Sequence, residues 1–132
     1  MTDNKLKLDF KKFGQALTAL EAAAAKPADA DRFFVDSTIK RFECAIELFW
    51  KLLKDILEQE GVMTQFPKEV LRKAYKGGWI NEEKLWIGML DDRNLSCHTY
   101  DEQLADKVYG HIQDYIPALR KTYEQLLNKK LL

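Results

Sequence analysis

Between Val35 and Ile56 the apolar residues return with helical regularity. Val35, Ile39, Phe42, Ile46, Phe49, Leu53 and Ile56 alternate steps of four and three, and Ala45, Leu48 and Leu52 draw a second stripe beside them. A helix brings such positions onto one side. A stripe this wide implies burial on more than one side, in a bundle or against a second subunit. Asp29 or Asp31 can cap the start, and Gly61 stops the helix after about Glu60. At the α-helical rise the segment is roughly 45 Å long, which makes it the backbone of the domain.

The flanking segments carry the same period. Leu6, Phe10, Phe13, Leu17 and Leu20 predict a first helix from about Leu6 to Ala25, stopped at Lys26-Pro27. Pro67 opens a short third helix at its favoured first position, with Val70, Leu71, Ala74 and Tyr75 as its buried face and Gly77-Gly78 as its end. Asn81 can cap a fourth helix whose apolar face is Leu85, Trp86, Met89 and Leu90. Thr99 and Glu102 fit a capping box for the last helix, which repeats Leu104, Val108, Ile112, Tyr115, Leu119, Tyr123 and Leu126. Pro117 lies inside that pattern and should kink or split it. Trp50, Trp79 and Trp86 each fall beside an apolar stripe, so they read as packing residues rather than base-stacking platforms.

Helix formers dominate and strand alternation is nearly absent across the 132 residues, so residues 1–132 read as one all-α domain. Lys plus Arg and Asp plus Glu are 21 each, and this balance gives no support to non-specific nucleic-acid binding through bulk charge. Cys44 and Cys97 form no paired motif and no signal peptide is recognisable, which points to a reduced, cytoplasmic protein. With two cysteines and two histidines in unrelated settings, a structural zinc site is improbable and no cofactor is expected. No apolar run reaches the ~20 residues that span a bilayer.

Chemistry concentrates in Asp91-Asp92-Arg93-Asn94-Leu95-Ser96-Cys97-His98-Thr99-Tyr100, at the corner between the last two helices. Arg93 follows Met89 by four and Leu90 by three, so it extends an inward face and needs a partner. Glu47 and Lys51, four apart, read by default as a solvated pair; alternatively one of Arg41, Glu43 and Glu47 faces this corner. Asn94 and His98 are about 40° apart round a helix, whereas Arg93 and His98 are about 140° apart, so convergence requires the helix to end or bend between them. The other histidine, His111, reads as a surface residue.

Histidine exchanges a proton near neutral pH, and arginine presents a planar fork to a phosphate. Asparagine can orient either, and tyrosine adds a hydroxyl and a ring. The reaction that fits is metal-independent RNA cleavage, in which a base deprotonates the ribose 2′-hydroxyl for attack on the adjacent phosphate. One histidine is thin for both acid and base steps, and a two-fold dimer would bring two copies together. The competing reading is that Arg93, Asn94 and His98 satisfy buried helix ends.

The corner Arg93-Asn-Leu-Ser-Cys-His98-Thr-Tyr100 resembles the R-x4-6-H signature of the HEPN superfamily, and more closely the R-x4-H-x-Y form of HepT-like toxins. Arg41-Phe42-Glu43, Glu47-Leu-Phe-Trp50-Lys51, Pro67-Lys-Glu-Val70, Lys73-Ala74, Leu85-Trp86 and Met89-Leu-Asp-Asp-Arg-Asn94 are similar to the nucleotidyltransferase substrate-binding proteins, a likeness running from about residue 5 to 126. The resemblance implies an up-and-down antiparallel four-helix bundle with a short extra helix, and a homodimer, for which helices two and four are the expected seam. It implies a minimal nucleotidyltransferase (MNT) partner. In the toxin–antitoxin branch it makes Arg93 and His98 the catalytic pair of an RNase and Asn94 the supporting polar residue. Tyr100 is then the site where the nucleotidyltransferase attaches AMP to silence the toxin. The alternative is a non-catalytic substrate-binding subunit of a two-component nucleotidyltransferase, which binds a nucleotide ligand rather than cutting RNA; a third class is a purely structural dimer.

Overall fold

The structure is a computed structural model and describes residues 2–26, 32–96 and 100–130. These residues form five helices: α1 (Thr2–Ala24), α2 (Arg32–Gln59), α3 (Pro67–Lys76), α4 (Glu83–Leu95) and α5 (Glu102–Lys130). No strand occurs among the described residues. Helix α2 packs against all four others, as its double stripe requires.

Residue pairs fix the helix directions. Phe13 meets Phe49 while Lys5 meets Asp55, so α1 runs antiparallel to α2. Phe49 meets Trp86 while Glu47 meets Arg93, so α4 also opposes α2. Arg32 pairs with Asp106, Phe42 stacks on Tyr115 and Glu60 meets Lys130, so α2 and α5 are parallel. Helices α1, α2, α4 and α5 therefore form an up-and-down bundle in which α2 and α5 close one diagonal, and α3 is the short extra helix beside α2 and α4.

One chain of rings ties the four helices together. Tyr123 of α5 meets Phe13 of α1 edge-on at 5.4 Å, Phe13 meets Phe49 of α2 at 5.0 Å, and Phe49 stacks on Trp86 of α4 at 4.8 Å. Phe13, Phe49 and Trp86 are fully buried. Each fully buried ring of this kind is worth about 1.5–3 kcal/mol of transfer free energy. Trp50 and Trp79 are half-buried against the same core.

Several local expectations change. Asn81 does not cap α4: Glu82 precedes the helix in a left-handed conformation (φ 57°), and the Asn81 carbonyl instead accepts the Trp86 indole N–H at 2.6 Å. Tyr75 is exposed, leaving Val70, Leu71 and Ala74 as the buried face of α3. Pro117 does not split α5, which is one helix through that position. Proline removes the bond to the carbonyl four residues back, at Gln113. Pro117 and Gln113 are both exposed. Asp101 caps α5, its Oδ1 accepting the Leu104 N–H at 3.2 Å. The caps expected at Asp29, Asp31 and Thr99 lie outside the described residues.

Candidate functional site

The site is built where the last turn of α4 meets the middle of α2. Arg93 follows the buried Met89 and Leu90 along the inner side of α4, and its guanidinium Nη2 reaches Glu47 Oε2 at 2.8 Å. The same oxygen accepts the Trp50 indole N–H at 3.1 Å, and Lys51 Nζ lies 3.5 Å from Oε1. One turn earlier on α2, Glu43 Oε2 lies 2.9 Å from the Ser96 hydroxyl, which also sits 2.6 Å from the Arg93 carbonyl. Ser96 is buried and is the C-cap of α4. Glu43 and Glu47, not one of them alone, thus face the corner, and Glu47 keeps its pairing with Lys51 as well.

This arrangement fixes an arginine without consuming it. About a third of each side chain in the Arg93–Glu47 pair remains accessible. A guanidinium carries five N–H donors in a rigid fork, so its remaining edge can present two of them to a phosphate. Glu43 and Glu47 offset the charges of Arg93 and Lys51, so the corner holds directed donors rather than a strongly positive field.

Of the other residues singled out by sequence, Asn94 is exposed on α4, and Tyr100 is 82% exposed just before α5 begins. His98 lies outside the described residues, as do Cys97 and Thr99. The structure therefore brings Arg93 together with Glu47, Trp50 and Lys51, and places Asn94 and Tyr100 on the surface at the same end of α4 and the start of α5.

Sequence reasoning missed a second cluster, on the neighbouring face of α4. Asp92 is only 5% exposed. Its Oδ2 accepts the Tyr115 hydroxyl and lies 2.8 Å from His111 Nδ1. Burial first, and then the bond to Asp92, hold the Tyr115 phenol well above its ordinary range, so it remains a donor. His111 is therefore half-exposed and anchored, not a plain surface histidine. The signal was in the spacing: His111 and Tyr115 are four apart, and Tyr115 belongs to the inward stripe. No group of three or more His, Cys, Asp or Glu among the described residues is placed to share a metal ion, and no helix among them is long and apolar enough to cross a membrane.

Known proteins match this chain over nearly its whole length. The family model described as nucleotidyltransferase substrate binding protein like matches residues 8–128. A Haemophilus influenzae protein named probable ribonuclease HepT is 30% identical, over 96% of this chain and 94% of that protein. A crystal structure of a Thermus thermophilus protein superposes with a TM-score of 0.81 at 36% identity, covering 86% of this chain and 98% of that one. A Haemophilus influenzae structure, described as revealing the fold of a substrate-binding domain of a nucleotidyltransferase, superposes with a TM-score of 0.69 at 28% identity, covering 94% and 98%. The five helices, the Arg93 corner and these matches together place the chain in one family: it belongs to the HepT-like, nucleotidyltransferase substrate-binding proteins.

Proposed function

We propose that this protein is a HEPN-type ribonuclease subunit that cleaves RNA without a metal ion and is held in check by a nucleotidyltransferase partner. The observation that carries the reading is the Arg93 guanidinium, fixed by Glu47 at 2.8 Å yet a third accessible, at the end of α4 where the R-x4-H-x-Y run begins. A relative named probable ribonuclease supports it.

In this reading Arg93 grips the scissile phosphate and stabilises the charge that develops at phosphorus. His98 exchanges the proton of the 2′-hydroxyl. Asn94 supports one of them. Two copies of the chain pair so that their corners line one groove, which concentrates a phosphate-binding field that the neutral chain lacks alone. Tyr100, with its ring well exposed, is accessible to a nucleotidyltransferase that attaches AMP to its hydroxyl. The added phosphate would then repel and obstruct the RNA backbone at the corner.

A second reading has an observation of its own. A neighbour at 28% identity is described as a substrate-binding domain of a nucleotidyltransferase. Under that reading the Arg93 fork holds a nucleotide phosphate and nothing is cut. The test is RNA cleavage by the purified protein in EDTA, wild type against His98→Ala. Cleavage by wild type alone supports the nuclease. Cleavage by neither, with saturable binding of a nucleotide that Arg93→Ala abolishes, establishes the substrate-binding subunit. Equal cleavage by both removes His98 from the mechanism.

A further inference from the structure

Asp92 has no part in the chemistry assigned to Arg93 and His98. An ionised carboxylate is costly to bury, and an apolar side chain would serve packing at least as well. Here it is nearly fully buried and receives two side-chain donors on one oxygen, Oδ2. The Tyr115 donor comes from inside the bundle, where Phe42 of α2 stacks on its ring. The other partner is the half-exposed His111. With Nδ1 committed to Asp92, Nε2 is the ring nitrogen left for proton exchange. A buried carboxylate that fixes the tautomer and direction of a partly exposed imidazole is the arrangement of a proton-transfer dyad.

The dyad and the proposed phosphate grip start from neighbouring positions of the same turn of α4. Asp92 and Arg93 are consecutive on α4, about 100° apart round the helix. Arg93 turns towards Glu47 of α2, and Asp92 turns towards His111 of α5. Helices α4 and α5 run antiparallel, since Asp92 meets His111 while Gly88 approaches Tyr115. His111 is therefore level with Arg93 along the bundle.

Cleavage of RNA by its own 2′-hydroxyl needs two proton transfers. A base takes the proton from the 2′-oxygen, which bonds to phosphorus. The bond from phosphorus to the 5′-oxygen breaks, and an acid gives that oxygen a proton, leaving a 2′,3′-cyclic phosphate and a 5′-hydroxyl. We infer that His111, oriented by Asp92, is the acid that protonates the 5′-oxygen leaving group. His111 is then a second catalytic residue of the same subunit, and Asp92 is its positioning residue. The inference rests on the ribonuclease reading and names the group that reading lacks within one subunit.

The experiment uses wild type, His111→Gln and Asp92→Asn with two RNA substrates. One has an ordinary phosphodiester; the other has sulfur in place of the bridging 5′-oxygen, a leaving group that needs no proton. His111→Gln is expected to lower kcat about 100-fold on the oxygen substrate and to approach wild type on the sulfur substrate. Asp92→Asn, which disturbs the tautomer, is expected to show a smaller loss with the same rescue. Equal activity of wild type and His111→Gln on the oxygen substrate overturns the assignment and leaves the nuclease standing. An equal loss on both substrates also overturns it. If wild type cleaves neither substrate, the ribonuclease reading falls and takes this assignment with it.

Discussion

Glu47 on α2 holds Arg93 on α4 at 2.8 Å while also accepting the Trp50 indole N–H and facing Lys51. This one carboxylate orients the guanidinium, yet it does not depend on Arg93 for partners. Arg93→Ala therefore leaves no buried charge stranded. Its effect on stability should stay within about 1 kcal/mol, as for other partly exposed pairs. Its effect on RNA cleavage should be much larger, about 100- to 1,000-fold in kcat. Arg93→Lys should recover little, because a point charge cannot reproduce the fork. Urea denaturation beside single-turnover cleavage separates the two quantities. A stability loss of several kcal/mol would make Arg93 a structural residue.

Asp92 should behave in the opposite way. Asp92→Ala removes the acceptor from the buried Tyr115 hydroxyl and opens space between α4 and α5. A loss of about 2–4 kcal/mol is expected. Tyr115→Phe in that background removes the stranded hydroxyl and should return part of it. The double-mutant cycle should show a coupling of about 1–3 kcal/mol, as for residues in one hydrogen-bond network. Independent, additive losses would mean that the Asp92–Tyr115 hydrogen bond contributes no stability.

The bundle was legible because its signals are periodic. The α2 stripe from Val35 to Ile56 is buried as its spacing predicts, and so are Phe10, Phe13 and Leu17 of α1. Arg93 was legible for a related reason: a charge continuing the Met89–Leu90 face has to meet a partner. What periodicity cannot give is the partner's identity. Glu47 is 46 residues away and shared the default reading of a pair with Lys51, so only the packing of α2 on α4 brings it to Arg93. Asp92 and His111 were missed because each looks like an ordinary surface residue until α4 and α5 are set side by side. Asn81 went astray as a cap, and the split allowed for at Pro117 does not occur. Trp86 claimed the Asn81 carbonyl, and Pro117 sits at an exposed position of an unbroken α5.

Gly14 offers a test of close packing between α1 and α5. A methyl group there would collide with the Tyr123 hydroxyl oxygen and stand 3.0 Å from the ring carbon that bears it. Replacing glycine by alanine inside a helix ordinarily gains about 1 kcal/mol. Here the clash should reverse the sign, giving a net loss of about 1–3 kcal/mol. The Tyr123 ring meets Phe13 edge-on and has Arg120 over it at 5.6 Å, so relieving the clash by moving the ring disturbs both contacts. Tyr123→Phe removes the offending oxygen, so Gly14→Ala should cost distinctly less in that background. Thermal melts of the four proteins decide it, and an unaltered cost would show that the hydroxyl is not the obstacle.

The α1–α2 contact carries a pH dependence that can be isolated at Asp9. Burial first, and then hydrogen bonding to and repulsion from Asp55, push the Asp9 carboxyl up to about 6 against the pulls of Lys5 and Lys12. In the unfolded chain the same carboxyl titrates near its ordinary value of 3.8. Between these values the folded state binds more protons than the unfolded one, so stability falls as pH rises. The favourable contribution is complete below the unfolded value and is lost as pH passes about 6. Asp9→Asn mimics the protonated form at every pH. It should match wild type near pH 4 and be more stable at pH 7 by on the order of 1 kcal/mol, after discounting for the exposed part of the side chain. Denaturant midpoints from pH 4 to 7.5 should therefore diverge, with the variant above wild type at the upper end. Parallel curves, or a variant less stable at pH 7, would show that Asp9 is held as a carboxylate and that Lys5 outweighs Asp55.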